Sequence, residues 1–198
     1  LNSIWGVRSM GINPADGQEV YIAKDGSVTN KWLASNQVVL GNTDPGAQGS
    51  IGFNFVYKQF SVFTSFMYEF GGDRYNQTLV DKVENVDIYK ENVDKRVLTS
   101  RWQKPGDKVK YKSIVNDRGS VEITRPTSRF VQQYNALSWT SLELGYDFGT
   151  RITNRLSMSM IRLTLGMSDL FHLSNVKQER GLSYPFARTV NFSLKMAF

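Results

Sequence analysis

The sequence predicts an all-β fold: the carboxy-terminal strands of a large antiparallel transmembrane β-barrel, with long, partly helical extracellular loops. Three observations predict it. Several segments of strand length alternate apolar and polar residues with period two, so each has one oily face and one wet face. The connections between them alternate strictly, short near 58–59 and 149–154, long at 11–49, 71–134 and 168–187. Sorting by length puts tight turns on one rim and large excursions on the other, the plan of an outer-membrane barrel with short periplasmic turns. Aromatic residues gather at the strand ends, Tyr57, Phe60, Phe148 and Phe198 at the short-turn rim and Tyr68, Phe70 and Phe171 near the other. Amphipathic rings favour both membrane interfaces.

The closing segment, Thr189 to Phe198, shows the pattern most plainly: Val190, Phe192, Leu194, Met196 and Phe198 alternate with Asn191, Ser193, Lys195 and Ala197. From the amino terminus, Ser3 to Met10 reads weakly as a strand, followed by turn-forming residues 11–17. Glu19 to Ala23 and Ser27 to Trp32 make a small hairpin around an Asp25-Gly26 turn. Asn36 to Gly49 reads as loop, because so many Gly, Asn and Pro residues do not suit a ladder. Ser50 to Tyr57 and Phe60 to Phe70 form a hairpin across Lys58-Gln59, each about 8–11 residues long and able to cross a tilted hydrocarbon layer. Gly71-Gly72-Asp73 is read as a strand breaker.

From Gln77 to Leu98 the period changes. Leu79, Val83, Val86, Val93 and Val97 recur at helical spacing, which predicts one or two short helices covering a surface. The interleaved Asp81, Glu84, Asp87, Glu91 and Asp94 alternate with Lys82, Lys90, Lys95 and Arg96, the signature of a solvated helix face rather than of a catalytic carboxylate pair. Lys108 to Pro126 is polar and irregular. Phe130 to Phe148 and Leu156 to Met167 are extended, joined by Gly149 to Asn154, and Ser168 to Pro185 leads as loop to the closing strand. This makes about six membrane-length strands, fewer than the eight of the smallest barrels, so the chain is expected not to close alone.

Composition narrows the classes. No apolar run reaches the ~18 residues of a spanning helix, which excludes a helical membrane protein. A mean hydropathy of −0.35 suits either a soluble chain or a barrel with a polar lumen. A net charge of +6 comes from Lys and Arg scattered among acids, with no basic stripe, so nucleic acid is not an expected partner. With no cysteine there is neither a disulfide framework nor a thiolate metal site. His172, the one histidine, is read as a packing or interface residue. Asn76-Gln77-Thr78 matches a short glycosylation pattern, whereas Asp44-Pro45 and Asp16-Gly17 are turn chemistry. No hydrolase, zinc-protease or phosphate-loop motif occurs, so neither catalysis nor a cofactor or metal is expected. The opening at Leu1 shows no charged region or cleavage site, and the expectation is a cytoplasmic chain or a piece of a longer one.

Longer strings carry a resemblance. Tyr75 to Asp87 (YNQTLVDKVENVD), Asn92 to Leu98 (NVDKRVL), Arg101 to Asp107 (RWQKPGD), Pro126 to Gln132 (PTSRFVQ), Leu142 to Phe148 (LELGYDF) and Val176 to Phe198 resemble the carboxy-terminal region of SusC/RagA-type TonB-dependent transporters of Bacteroidota. Gly11 to Glu19 also fits, and the similarity runs over nearly all of residues 1–198. It implies a 22-stranded outer-membrane barrel with an amino-terminal plug and a TonB-interacting segment, importing glycans or peptides beneath a SusD-like lipoprotein lid. The plug and TonB-interacting segment are absent from these residues, so this piece alone is expected to import nothing. The resemblance transfers no ligand-contacting residue onto this stretch.

Two other readings compete. A soluble β-sandwich binding carbohydrate would bury the apolar faces in its own core and present Trp32 and Trp102 to sugars. A small self-closing barrel would need at least eight strands.

Overall fold

In the computed structural model, the period-two segments pair into one antiparallel sheet. The structure describes residues 2–86, 94–114, 123–177 and 188–198. The sheet contains β6 (Ala47–Tyr57), β7 (Phe60–Tyr75), β8 (Val131–Asp147), β9 (Met160–Ser174) and β10 (Thr189–Ala197), ordered β10-β9-β8-β7-β6. Every neighbour in the sheet is a neighbour in sequence, so the connectivity is a simple meander. Five strands form it, not six, and among the described residues β6 and β10 are its open edges rather than partners in a closed barrel.

The chain divides into two compact units. One comprises Pro45–Gly71, Tyr134–Asn175 and Glu179–Phe198, and holds most of the sheet. Its tight turn is Lys58-Gln59, as the alternation predicts, with Lys58 in the left-handed region at φ 53°. The closing strand pairs with β9 from Thr189 opposite Ser168 to Ala197 opposite Met160. Several boundaries differ from expectation, β6 already beginning at Ala47 rather than Ser50. The connection after β8 carries a helical turn, α3 (Thr150–Arg155), so β9 begins at Met160 rather than Leu156. Strand β9 continues to Ser174 through residues read as loop, because Phe171 to Ser174 pair with Ala136 to Trp139 of β8 across an irregularity. Strand β7 likewise runs through Gly71 and Gly72 to Tyr75. Gly71 sits at φ 85°, which glycine adopts freely, so it redirects the strand without ending it.

The other unit comprises Leu1–Asp44, Gly72–Gln133 and Val176–Gln178. The weak amino-terminal strand is two strands, β1 (Ser3–Gly6) and β2 (Arg8–Ile12), which join different sheets. Strand β2 pairs with β3 (Glu19–Ile22), which pairs with β4 (Val28–Thr29) around the Asp25-Gly26 turn. Strand β1 pairs with β5 (Val38–Asn42), inside the stretch read as loop. That pairing spans distant sequence, which local composition does not register.

The core of this unit is the predicted helical stripe. Asn76 caps α1 (Gln77–Leu79), accepting a hydrogen bond from the Leu79 N–H at 3.2 Å. The chain then widens into a π-helical turn, Val80–Glu84, and returns as α2 (Arg96–Thr99). Leu79, Val80, Val83, Val86 and Val97 pack with Tyr111 and Phe130. Val93 lies outside the described residues. The stripe therefore finds a surface to cover among residues of its own loop.

Candidate functional site

Antiparallel partners share a face, so the register sorts every strand residue. Ile51, Phe53, Phe55 and Tyr57 lie opposite Phe66, Thr64, Val62 and Phe60. Leu142, Leu144 and Tyr146 lie opposite Met167, Leu165 and Leu163, which in turn face Val190, Phe192 and Leu194. The two halves meet on one side of the sheet, where the Phe60 and Tyr146 rings stand 4.8 Å apart. This face is apolar and uncovered: Phe53, Phe55 and Phe192 are 59%, 64% and 70% exposed. Phe53, Phe55, Phe66, Leu142, Leu144, Leu163, Phe192 and Leu194 thus fall on one face and Asn54, Ser65, Glu143, Arg162, Asn191 and Lys195 on the other, in keeping with period-two alternation.

The opposite face is mostly polar, with Val56, Phe63 and Met67 as its exposed apolar residues. Lys195, Arg162 and Asp147 lie side by side on three strands, with Arg162 Nη1 3.5 Å from Asp147 Oδ2 and Nη2 donating to Ser61 Oγ at 2.9 Å. Gly145 makes room for this, since a Cβ there would clash with Ser61 Oγ and stand 2.9 Å from Arg162 Nη2. His172 belongs to this face and is held rather than packed. Ser138 Oγ meets its Nδ1 at 2.7 Å, and the Tyr134 hydroxyl meets its Nε2 at 3.2 Å.

The helical unit contains a buried charge cluster. Arg129 donates from Nε and Nη2 to both oxygens of Glu19 at 2.8 and 2.7 Å, a bidentate fork, and its Nη2 lies 2.5 Å from Glu84 Oε1. Burial opposes the charge on Arg129, but the two carboxylates hold its pKa above the ordinary arginine value. Burial pulls the pKa of Arg101 down, with Glu84 opposing the shift. Its guanidinium donates to the carbonyls of Val83, Glu84 and Lys112. Two acids and two arginines thus balance. Beside them Gly11, Leu79, Lys110, Tyr111, Arg129 and Gln132 line an open cleft of about 400 Å³.

The predicted solvated acid face is therefore only half right. Asp81 stays outside and accepts from Gln77 Nε2 at 2.8 Å, whereas Glu84 is 1% exposed. The widened turn carries Val80, Val83 and Glu84 inward together, where Arg129 meets the carboxylate. Asp94 pairs with Arg96 at 2.6 Å, while Asp87 and Glu91 lie outside the described residues. Asn76 is also buried, its amide donating to Gln132 Oε1 at 3.0 Å, an environment that no glycan enters. The indole N–H of Trp32 donates to the Pro126 carbonyl and that of Trp102 to Pro14, and Trp102 presses on Gly17. The Arg125 guanidinium lies over the Trp32 ring, 4.9 Å from its centroid. Asp16 serves its turn, as expected, accepting from the Gln18 N–H, whereas the Asp44 N–H donates to Asn42 Oδ1 and its carboxylate accepts from the Asn2 amide. Among the described residues, no three His, Asp or Glu side chains converge to hold a metal ion.

No family model matches the sequence, and no curated protein matches it. The architecture itself, an antiparallel meander with a loop unit, recurs in solved structures of a transporter. The "open-open" structure of the RagAB peptide importer matches 99% of this chain and 22% of that one, with TM-score 0.74 and 15% identity. A structure of the RagAB peptide transporter matches 99% and 22%, with TM-score 0.76 and 14% identity. The "closed-closed" importer matches 99% and 23%, with TM-score 0.76 and 16% identity. At these identities the likeness defines the fold, and the chain spans less than a quarter of the length of the chains it matches.

Proposed function

We propose that this chain, over residues 1–198, is the carboxy-terminal barrel segment of a SusC/RagA-like, TonB-dependent outer-membrane importer of glycans or peptides in Bacteroidota, acting without catalysis. The observation that carries this reading is the exposed apolar face on strands of nine to seventeen residues. Water penalises such a face and hydrocarbon does not. The opposite face, with Asp147, Glu143, Arg162 and Lys195, would line a polar lumen, since an arginine at the bilayer midplane costs about 2–4 kcal/mol. Further strands of the longer protein would pair with the edges of β6 and β10, because unpaired backbone groups in hydrocarbon cost several kcal/mol each. The helical unit is then an extracellular loop whose surface meets substrate or a SusD-like lipoprotein, and energy comes through TonB from parts outside these residues. Likeness to the RagAB structures supports the reading at the level of fold. The sandwich alternative lacks its cover: nothing among the described residues buries Phe53, Phe55 or Phe192.

The test is fractionation of the protein expressed from its whole reading frame. It should pellet with outer membranes, resist carbonate extraction and require detergent for solubility. Recovery in the soluble fraction without detergent would refute the proposal.

A further inference from the structure

On the apolar face a groove of about 240 Å³ runs between β7 and its neighbours, walled by Phe60, Val62, Leu144, Tyr146, Leu163 and Leu165. All six belong to that face by register. At its turn end stands a cation. Lys58 precedes Phe60 by two residues, and its ammonium lies over the Tyr57 ring, 5.3 Å from the centroid. Tyr57 is the cross-strand partner of Phe60, a residue of the groove wall, and the Phe60 ring packs on that of Tyr146. A lysine stem laid over an exposed ring keeps its charge at the level where an apolar layer meets water. Lys58 keeps its left-handed conformation in a two-residue turn where asparagine or glycine is the usual occupant.

We infer that this is a binding site for one anionic phospholipid: an acyl chain fills the groove and the headgroup phosphate sits on Lys58. The inference rests on the membrane reading above. Two features commit the site to a lipid. The groove opens on the face proposed to meet hydrocarbon, and its walls are almost wholly apolar, which suits an acyl chain and no polar ligand. Lys58, in the turn that leads into Phe60, is positive, and the carboxylate of Asp147 belongs to the opposite face, beside Arg162. Lys195, also on that opposite face, is the natural control.

The experiment uses the full-length protein purified in detergent, stripped of lipid and titrated with dioctanoyl phosphatidylglycerol or dioctanoyl phosphatidylcholine. Native mass spectrometry counts the lipid retained. Phosphatidylglycerol should be retained preferentially, and Lys58→Gln should weaken its binding about fivefold while leaving phosphatidylcholine unchanged. Lys195→Gln should change neither. Val62→Trp, which fills the groove, should abolish retention of both lipids, and Lys58→Gln keeps the test decisive should the tryptophan disturb the fold. Equal retention of the two lipids, or equal loss with Lys58→Gln and Lys195→Gln, would overturn the site while leaving the membrane reading intact. A protein that stays soluble without detergent would overturn the membrane reading, and the site with it.

Discussion

Replacing Arg129 by methionine should unfold the helical unit locally while leaving the sheet in place. The variant removes the bidentate fork to Glu19, the 2.5 Å contact with Glu84 and the bond from Nη1 to the Lys110 carbonyl at 2.7 Å. The two carboxylates it abandons have side chains only 1% and 0% exposed, so water cannot replace the guanidinium without opening the unit. Removing one partner of a buried charge network costs about 3–5 kcal/mol, chiefly through the uncompensated charge left behind. At about 1.4 kcal/mol per factor of ten, local opening should become roughly two to three and a half orders of magnitude more frequent. Amide hydrogen exchange in the full-length protein reads this directly. The Asn85 N–H, bonded to the Val80 carbonyl at 2.7 Å, and the Val97 N–H, bonded to Asp94 at 2.9 Å, should lose their protection. Amides of β9 and β10 should not change. The triple variant Glu19→Gln, Glu84→Gln, Arg129→Met should recover most of the loss, because no charge is then stranded. Exchange accelerated by less than a factor of ten in Arg129→Met, or a triple variant as unstable as the single one, would refute the reasoning.

Adjacent residues on opposite faces should respond oppositely. Phe53→Arg should cost about 2–4 kcal/mol in equilibrium refolding of the full-length protein into bilayers, whereas Asn54→Arg should cost less than about 1 kcal/mol. Gly145→Val should displace Arg162 from Ser61 and cost about 1–3 kcal/mol in the same refolding assay, with partial rescue by Ser61→Ala. The hydrogen bonds from Arg96 hold the Asp94 carboxyl down to about 2. A depressed pKa contributes stability above the ordinary aspartate value of about 3.9 and loses it as pH falls through about 2. Protection of the Val97 amide should fall across that interval, and Asp94→Asn should remove the step, as hydrogen exchange at graded pH will show.

Period-two alternation is a local property, and wherever it governs, the sequence determined the structure unaided. The Lys58-Gln59 hairpin, the two faces of β6 to β10 and the pairing of the closing strand with β9 all follow from which residues are oily at every second position. The helical stripe was legible for the same reason, and Leu79, Val83, Val86 and Val97 are buried as their spacing requires. Tertiary structure decided what depends on distant partners. Strand β5 exists because β1 supplies its ladder, and β9 outruns its alternation because Ala136 to Trp139 wait opposite. Gly71 reads as a breaker in any local window, yet its positive φ lets β7 turn and continue. Glu84 looks like a surface acid in sequence, and Arg129, contributed by a turn forty-five positions later, makes its burial tolerable together with the Thr124 hydroxyl. His172 was a lone imidazole until the register set Ser138 beside it. A residue's polarity fixes the cost of burying it, and only the fold supplies the partner that offsets that cost.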